Sequence, residues 1–184
     1  MATLRADAER NRERVLDHAT RLLAADPTAC VGEIARAAGV GRATLYRHFP
    51  TREELLAAID ERAFEETEAA FAASRLAEGT ASAALERLVT AVLEIGDRYR
   101  FLLAEDAVKR DRKRDERFAA PLFALLERGQ AAGEFNRSMP PRWMLEVLGH
   151  VIVAAVREIA EGRLDRDAAP AVVTGTLLNG ISSL

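Results

Sequence analysis

Cysteine, lysine and aromatic residues are all scarce in this 184-residue chain, and each scarcity excludes something. Cys30 is the only cysteine, so no internal disulfide can form, which fits a reducing cytoplasm. Aromatic residues make up only 5% while alanine, leucine, arginine and glutamate dominate, a balance that favours helix over sheet. No apolar run reaches the roughly 18 residues of a membrane span. The best candidate, Trp143 to Val156, is broken by Glu146 and His150, so no membrane partner is expected. The opening stretch MATLRADAERNRERVLDHA has no apolar signal core and is too acidic for a transit peptide. The three histidines are scattered, and neither a glycine-rich phosphate loop nor a metal-ligand spacing is present. Nothing therefore points to an enzyme, a cofactor or a metal.

What is present reads as a folded helical protein. Hydrophobic residues at 49% and charged residues at 30% are enough to build a core and exclude a disordered chain. The net charge of −3 argues against a general coat for nucleic acid, but it is unevenly spread. Residues 1–52 carry nine Arg against six Asp and Glu, a balance of +3, and the remainder carries −6. A basic head on an acidic body suits a protein that offers one end to a polyanion. Arginine outnumbers lysine 24 to 2, which suits phosphate recognition and equally fits a compositional bias.

Helical periodicity recurs along the chain, with no period-two strand pattern and no internal repeat. Val15, Ala19, Leu22 and Leu23 form an apolar stripe on a first helix over about 5–25, which Pro27 ends. Val31, Ile34, Ala35 and Ala38 give a short second helix, and Gly39 stands where a left-handed cap is expected. A third segment runs from Arg42 to His48 and closes at Pro50. Thr51 and Glu54 form a capping box for a fourth helix reaching about Ser74. Further stripes predict a fifth helix around Leu85–Val92, a short sixth at Tyr99–Leu103 and a seventh carrying Phe118, Leu122, Leu125 and Leu126, kinked or started by Pro121. An eighth helix carries Trp143, Val147, His150, Val151 and Ala154 on one face, and a ninth starts near Asp165–Pro170. The run KRDRKRDER, Lys109 to Arg117, reads as a solvated loop or exposed helix start, with a contact for an acidic partner as the sharper alternative. The expected fold class is all-α, with about nine helices.

The third segment carries the functional signal. At 100° per residue Leu45 and Phe49 fall within about 40° of one another and anchor it inward. Arg42, Ala43, Thr44, Tyr46, Arg47 and His48 are left facing outward. A small Ala35, the turn at Gly39 and the anchor Leu45 make a helix-turn-helix, whose second helix enters the DNA major groove. Arg42 and Arg47 suit phosphates or guanine, Thr44 and Tyr46 offer hydroxyls, and the methyls of Ala43 and Thr44 suit thymine. Arg52 lies on the first turn of the next helix, where a phosphate is favoured.

The stretch VGEIARAAGVGRATLYRHFPTREELLAAI, Val31 to Ile59, resembles the DNA-binding region of the TetR family of bacterial transcriptional repressors. Ile34-Ala35, Ala38-Gly39-Val40, Thr44-Leu45-Tyr46, Phe49 and Arg52 carry the resemblance. Cys30 and Gly41 depart from it, standing where hydroxyl caps are usual, and Arg52 replaces a usual lysine. The resemblance implies a helix-turn-helix domain over 1–52 and a ligand-binding and dimerisation domain over 53–184. It further implies a homodimer on a near-palindromic double-stranded operator, released by an unidentified small-molecule effector. Two-fold symmetry would set the reading helices about 34–36 Å apart. Val147, Val151, Ala154, Val172, Gly175 and Leu178 on the last two helices are the candidate dimer contacts. Phe71, Tyr99, Phe101, Phe118, Phe123, Trp143 and His150 are the candidate effector lining, since aromatics and a lone polar group typify small-ligand sites. The competing reading is a constitutive DNA-binding or scaffolding dimer with no working pocket.

Overall fold

The computed structural model describes residues 2–104 and 112–181, with side chains over 9–102 and 117–179. Eight α-helices occupy the described residues: α1 Ala2–Ala25, α2 Val31–Ala37, α3 Arg42–His48, α4 Arg52–Ala73, α5 Ala81–Arg98, α6 Arg112–Ala132, α7 Pro141–Ala160 and α8 Ala169–Ile181. The expected short sixth helix is a 3-10 segment, Arg100–Ala104. The all-α class is therefore observed. Of the two roles open to Pro121 it does not start the helix: it lies inside α6 and is exposed. Of the charged run, residues 109–111 lie outside those described, and α6 begins at Arg112.

The chain divides into two compact units. One holds Met1–Phe64 and Arg98–Lys109. Its buried side chains include Val15, Leu16, Ala19 and Leu23 of α1, Ile34 and Ala35 of α2, Leu45 of α3, and Leu55, Leu56 and Ile59 of α4. The periodic stripes identified much of this core, but Leu16 and Leu55 are buried outside them while Leu22 and Val31 are only half-buried. The other unit holds Glu65–Asp97 and Arg110–Leu184. Its core joins Leu85, Leu88 and Val89 of α5, Leu125 and Leu126 of α6, Met144, Leu148 and Val156 of α7, and Val173 and Leu177 of α8.

Arginine has a structural use that composition alone did not reveal. A helix leaves its last carbonyls unbonded, and a guanidinium fork can meet several of them at once. Arg87 donates to the carbonyls of Ser74, Arg75 and Glu78 beyond α4. Arg128 donates to Leu76 and Gly79 of the same connection, and Arg137 to Gln130 and Ala131 at the end of α6. In the first unit Arg14 bonds the Ala38 carbonyl at 3.0 Å, and Arg100 bonds that of Ala24.

The opposite helix pole is met by Glu134, whose carboxylate accepts from the Ala81 and Ser82 N–H groups at 3.0 and 2.8 Å. These backbone bonds, Ser82 first, hold the carboxyl below its usual range. Because the folded-state value is depressed, the stabilisation is present above the unfolded value and lost as pH falls through the folded one. Glu134→Ala is expected to cost about 0.5–2 kcal/mol at neutral pH, as loss of a helix cap does. Urea denaturation should show the two proteins converging as the pH falls below about 4. A gap that persists in acid would assign the loss to packing.

Candidate nucleic-acid interface

The turn between α2 and α3 is built from backbone geometry. Gly39 has φ +64, a conformation in which a side chain would be strained. Its N–H bonds the Arg36 carbonyl at 3.1 Å, and the Val40 N–H bonds the Ala35 carbonyl at 3.0 Å. These two bonds are the Schellman pattern that closes a helix with glycine. Gly41 then caps α3 from an extended conformation with no side-chain bond, as its lack of a hydroxyl requires. At the start of α2 the Glu33 carboxylate accepts from the Cys30 N–H at 2.7 Å, which meets a donor that a hydroxyl cap does not. That reciprocal bond is legible as Cys30-x-x-Glu33, a weak form of the box recognised at Thr51.

Leu45 and Phe49 are 1% and 3% exposed, so both anchors hold α3 against its unit. Arg42, Ala43, Tyr46 and Arg47 are exposed, and Thr44 and His48 are half-buried. The six expected contact residues therefore share one short helix, with the bulk of their polar surface outward. Arg47 donates to the Thr44 hydroxyl at 3.1 Å, so the guanidinium is held one turn back along the helix. Support comes from α1, which sequence reasoning did not connect to this surface. The Arg12 guanidinium lies 5.6 Å from the Phe49 ring centroid, a cation–π contact on the anchor itself. Arg14 closes the α2 end at Ala38. No local pattern marks either arginine, because each meets its partner across a long stretch of chain.

Arg52 was expected at a phosphate, and the structure gives it a second task. Its guanidinium donates to the carbonyls of Ala29 at 2.7 Å and Pro27 at 2.8 Å. These bonds brace the start of α4 against the α1–α2 connection. Beside it, the Thr51 hydroxyl accepts from the Glu54 N–H at 3.1 Å, the expected cap of α4.

The seven candidate effector residues are divided between the two units. Tyr99 and Phe101 are buried in the unit that carries the helix-turn-helix. In the other unit Phe71 and Phe118 pack with ring centroids 4.5 Å apart, and Phe123 is half-buried. One turn before Phe71, Glu68 pairs with Arg117 at 2.9 Å. Trp143 is 59% exposed and His150 is exposed, with Nδ1 2.7 Å from the Glu146 carbonyl. Both stand on the outward side of α7, next to Val147 and Ala154, because the opposite side is taken up by Met144, Leu148 and Ala155. Sequence periodicity grouped them with an apolar face without showing that the face is open. On α8 Val172 is 48% exposed, while Gly175 and Leu178 are half-buried. The outer side of α5 carries an open groove of about 480 Å³, lined by Ala83, Glu86, Arg87, Thr90, Ala91 and Glu94. None of these six is singled out by sequence, since none lies on the apolar stripe that marks α5.

Among the described residues no group of His, Cys, Asp and Glu could hold a metal ion, and no helix is long and apolar enough to cross a membrane.

The model of bacterial regulatory proteins of the tetR family matches residues 15–59. Over 176 residues the chain is 32% identical to the HTH-type transcriptional repressor LfrR of Mycolicibacterium smegmatis, covering 96% of this chain and 93% of LfrR. A 52-residue stretch, 27% of this chain, is 50% identical to the uncharacterized HTH-type transcriptional regulator Rv1255c of Mycobacterium tuberculosis, 26% of that protein. The structure of LfrR from Mycobacterium smegmatis in complex with proflavine is similar with a TM-score of 0.77 at 30% identity, covering 95% of this chain and 99% of that one. The fold is also that of the ketosteroid transcriptional regulator KstR2 of Mycobacterium tuberculosis, with a TM-score of 0.72 at 18% identity, covering 94% and 95%.

Proposed function

The chain belongs to the tetR family of bacterial regulatory proteins, and from that premise we propose that it is a ligand-responsive transcriptional repressor. It would hold a near-palindromic operator as a homodimer and release it when a small molecule binds the body. Residues 1–52 would read DNA and residues 53–184 would sense and dimerise. The observation that carries the reading is the outward face of α3, where Arg42, Ala43, Tyr46 and Arg47 are exposed on a helix pinned by two buried anchors. Seven residues are too few for specific affinity alone, so two copies must act together.

The dimer contact proposed is the open side of α7 and α8, with Val147, Val151, Ala154, Val172, Gly175 and Leu178. A Cβ added at Gly149 or Gly175 would meet nothing within 4 Å, so these helices offer room for a close approach by a second copy. Trp143 and His150 fall on this side and fit a dimer contact better than an effector lining. The LfrR complex makes a flat aromatic cation the first effector class to test. The Phe71–Phe118 pair offers ring surface, and the α5 groove offers the carboxylates of Glu86 and Glu94. Effector binding would favour a dimer in which the two reading helices no longer match successive grooves, and DNA is lost by population shift.

Genome-wide footprinting would supply the operator, and fluorescence anisotropy its affinity. Arg47→Ala is expected to weaken that affinity by about 1–3 kcal/mol if the guanidinium meets a base. Full-strength binding would remove Arg47 from the interface. Proflavine should raise the melting temperature and release the operator. A constitutive DNA-binding dimer would bind its operator alike with and without it.

A further inference from the structure

We propose that Gly32 is a positioning residue for the DNA-reading surface. The bare backbone of the first turn of α2 is the seat on which the Arg42 guanidinium rests, and that seat sets where Arg42 points. The proposal rests on reading the outward face of α3 as the nucleic-acid interface.

Glycine inside a helix is unfavourable relative to alanine, so its presence calls for a reason. Two glycines of the helix-turn-helix have one. Gly39 adopts a left-handed backbone, and Gly41 caps α3 from open space, where an added Cβ would come no nearer than 4.0 Å to the Thr44 hydroxyl. Gly32 has neither reason, being the second residue of α2 with an ordinary helical backbone. The space around it differs. A Cβ built there would lie 2.7 Å from Arg42 Nη2 and 3.0 Å from both Cζ and Nε. All three nearest atoms belong to one guanidinium, and their similar distances mean that its plane lies across the glycine.

The surroundings favour this placement. Glu33, the nearest carboxylate in sequence, accepts from the Cys30 N–H at its own helix start. Arg42 is exposed, so the seat orients the side chain without burying it. An arginine carries many rotamers, and restricting them before contact lowers the ordering cost of binding. Arg42 thus reaches across from the first turn of α3 to that of α2, and an alanine methyl would force the guanidinium elsewhere. Because the displaced group is the far end of a flexible chain, the fold would accommodate the methyl.

The test compares Gly32→Ala, Arg42→Ala and the double variant in the full-length protein, by operator anisotropy and thermal melting. Gly32→Ala is expected to melt at the same or a higher temperature, yet to bind its operator about 3- to 10-fold more weakly. Arg42→Ala should also bind weakly, and the double variant should be no worse than Arg42→Ala alone. Wild-type affinity for Gly32→Ala beside weak binding by Arg42→Ala would overturn the positioning role and leave the interface standing. A full additional loss in the double variant would overturn it too, by placing the effect in α2 itself. A lowered melting temperature for Gly32→Ala would count against it, by giving the glycine a packing role. Wild-type affinity for Arg42→Ala would instead remove the underlying reading of Arg42, and the proposal with it.

Discussion

Val172→Asp is expected to turn the proposed dimer into monomers and abolish operator binding while leaving each monomer folded. Val172 is 48% exposed in the isolated chain, so a carboxylate there stays hydrated and costs the monomer little. In the proposed interface the same position is covered by a second copy. Two-fold symmetry doubles every substitution, so both carboxylates must be desolvated together. The effective penalty for an unpaired buried ion is several kcal/mol, and about 4 kcal/mol corresponds to roughly a thousandfold in dimer affinity. Sedimentation should report half the mass with unchanged helicity. Operator affinity should fall much further than with Arg47→Ala, because one head alone holds a single half-site. A variant that remains dimeric would rule out this face as the interface. A monomer that still binds the operator at full strength would remove the dimer from the mechanism.

Phe135→Ala is expected to cost about 3–5 kcal/mol, the range for emptying an aromatic site in a core. Phe135 is fully buried, and its backbone N–H bonds the Gly129 carbonyl at 3.2 Å. Its ring lies directly on Gly129, where an added Cβ would sit 2.2 Å from Cδ2. The glycine is thus required by the ring, and the pair makes a double-mutant prediction. Gly129→Ala alone should be strongly destabilising through overpacking. In the Phe135→Ala background the same methyl enters the vacated space and should be tolerated or favourable. Urea denaturation of the four proteins gives the coupling directly. Additive losses would mean that the methyl and the ring do not compete for space.

These two sites show what local rules reveal and what they leave out. Val172 and Val147 could be placed on apolar stripes because a helix repeats every 3.6 residues. The stripe on α7 also includes Trp143 and His150, whose residue types suit an effector lining. Periodicity shows that residues share a face but not whether the face meets the core, a second chain or water. Phe135 was not singled out at all, because it lies in the connection after α6, where no period marks it. Arg12, Arg14, Arg87 and Arg128 gave no local signal either, since each meets its partner across a distant segment of chain.

The sequence by itself determined the all-helical class, the Gly39 turn, the Leu45 and Phe49 anchors and the cap at Thr51. Each follows from backbone geometry or spacing within a few residues, which is written into adjacent positions. Only the tertiary structure decided that Arg52 braces two carbonyls, that Trp143 and His150 lie on an open face, and that Gly32 makes room for Arg42. Those facts depend on which surfaces meet after the helices pack, and spacing along one helix carries no information about the element laid against it.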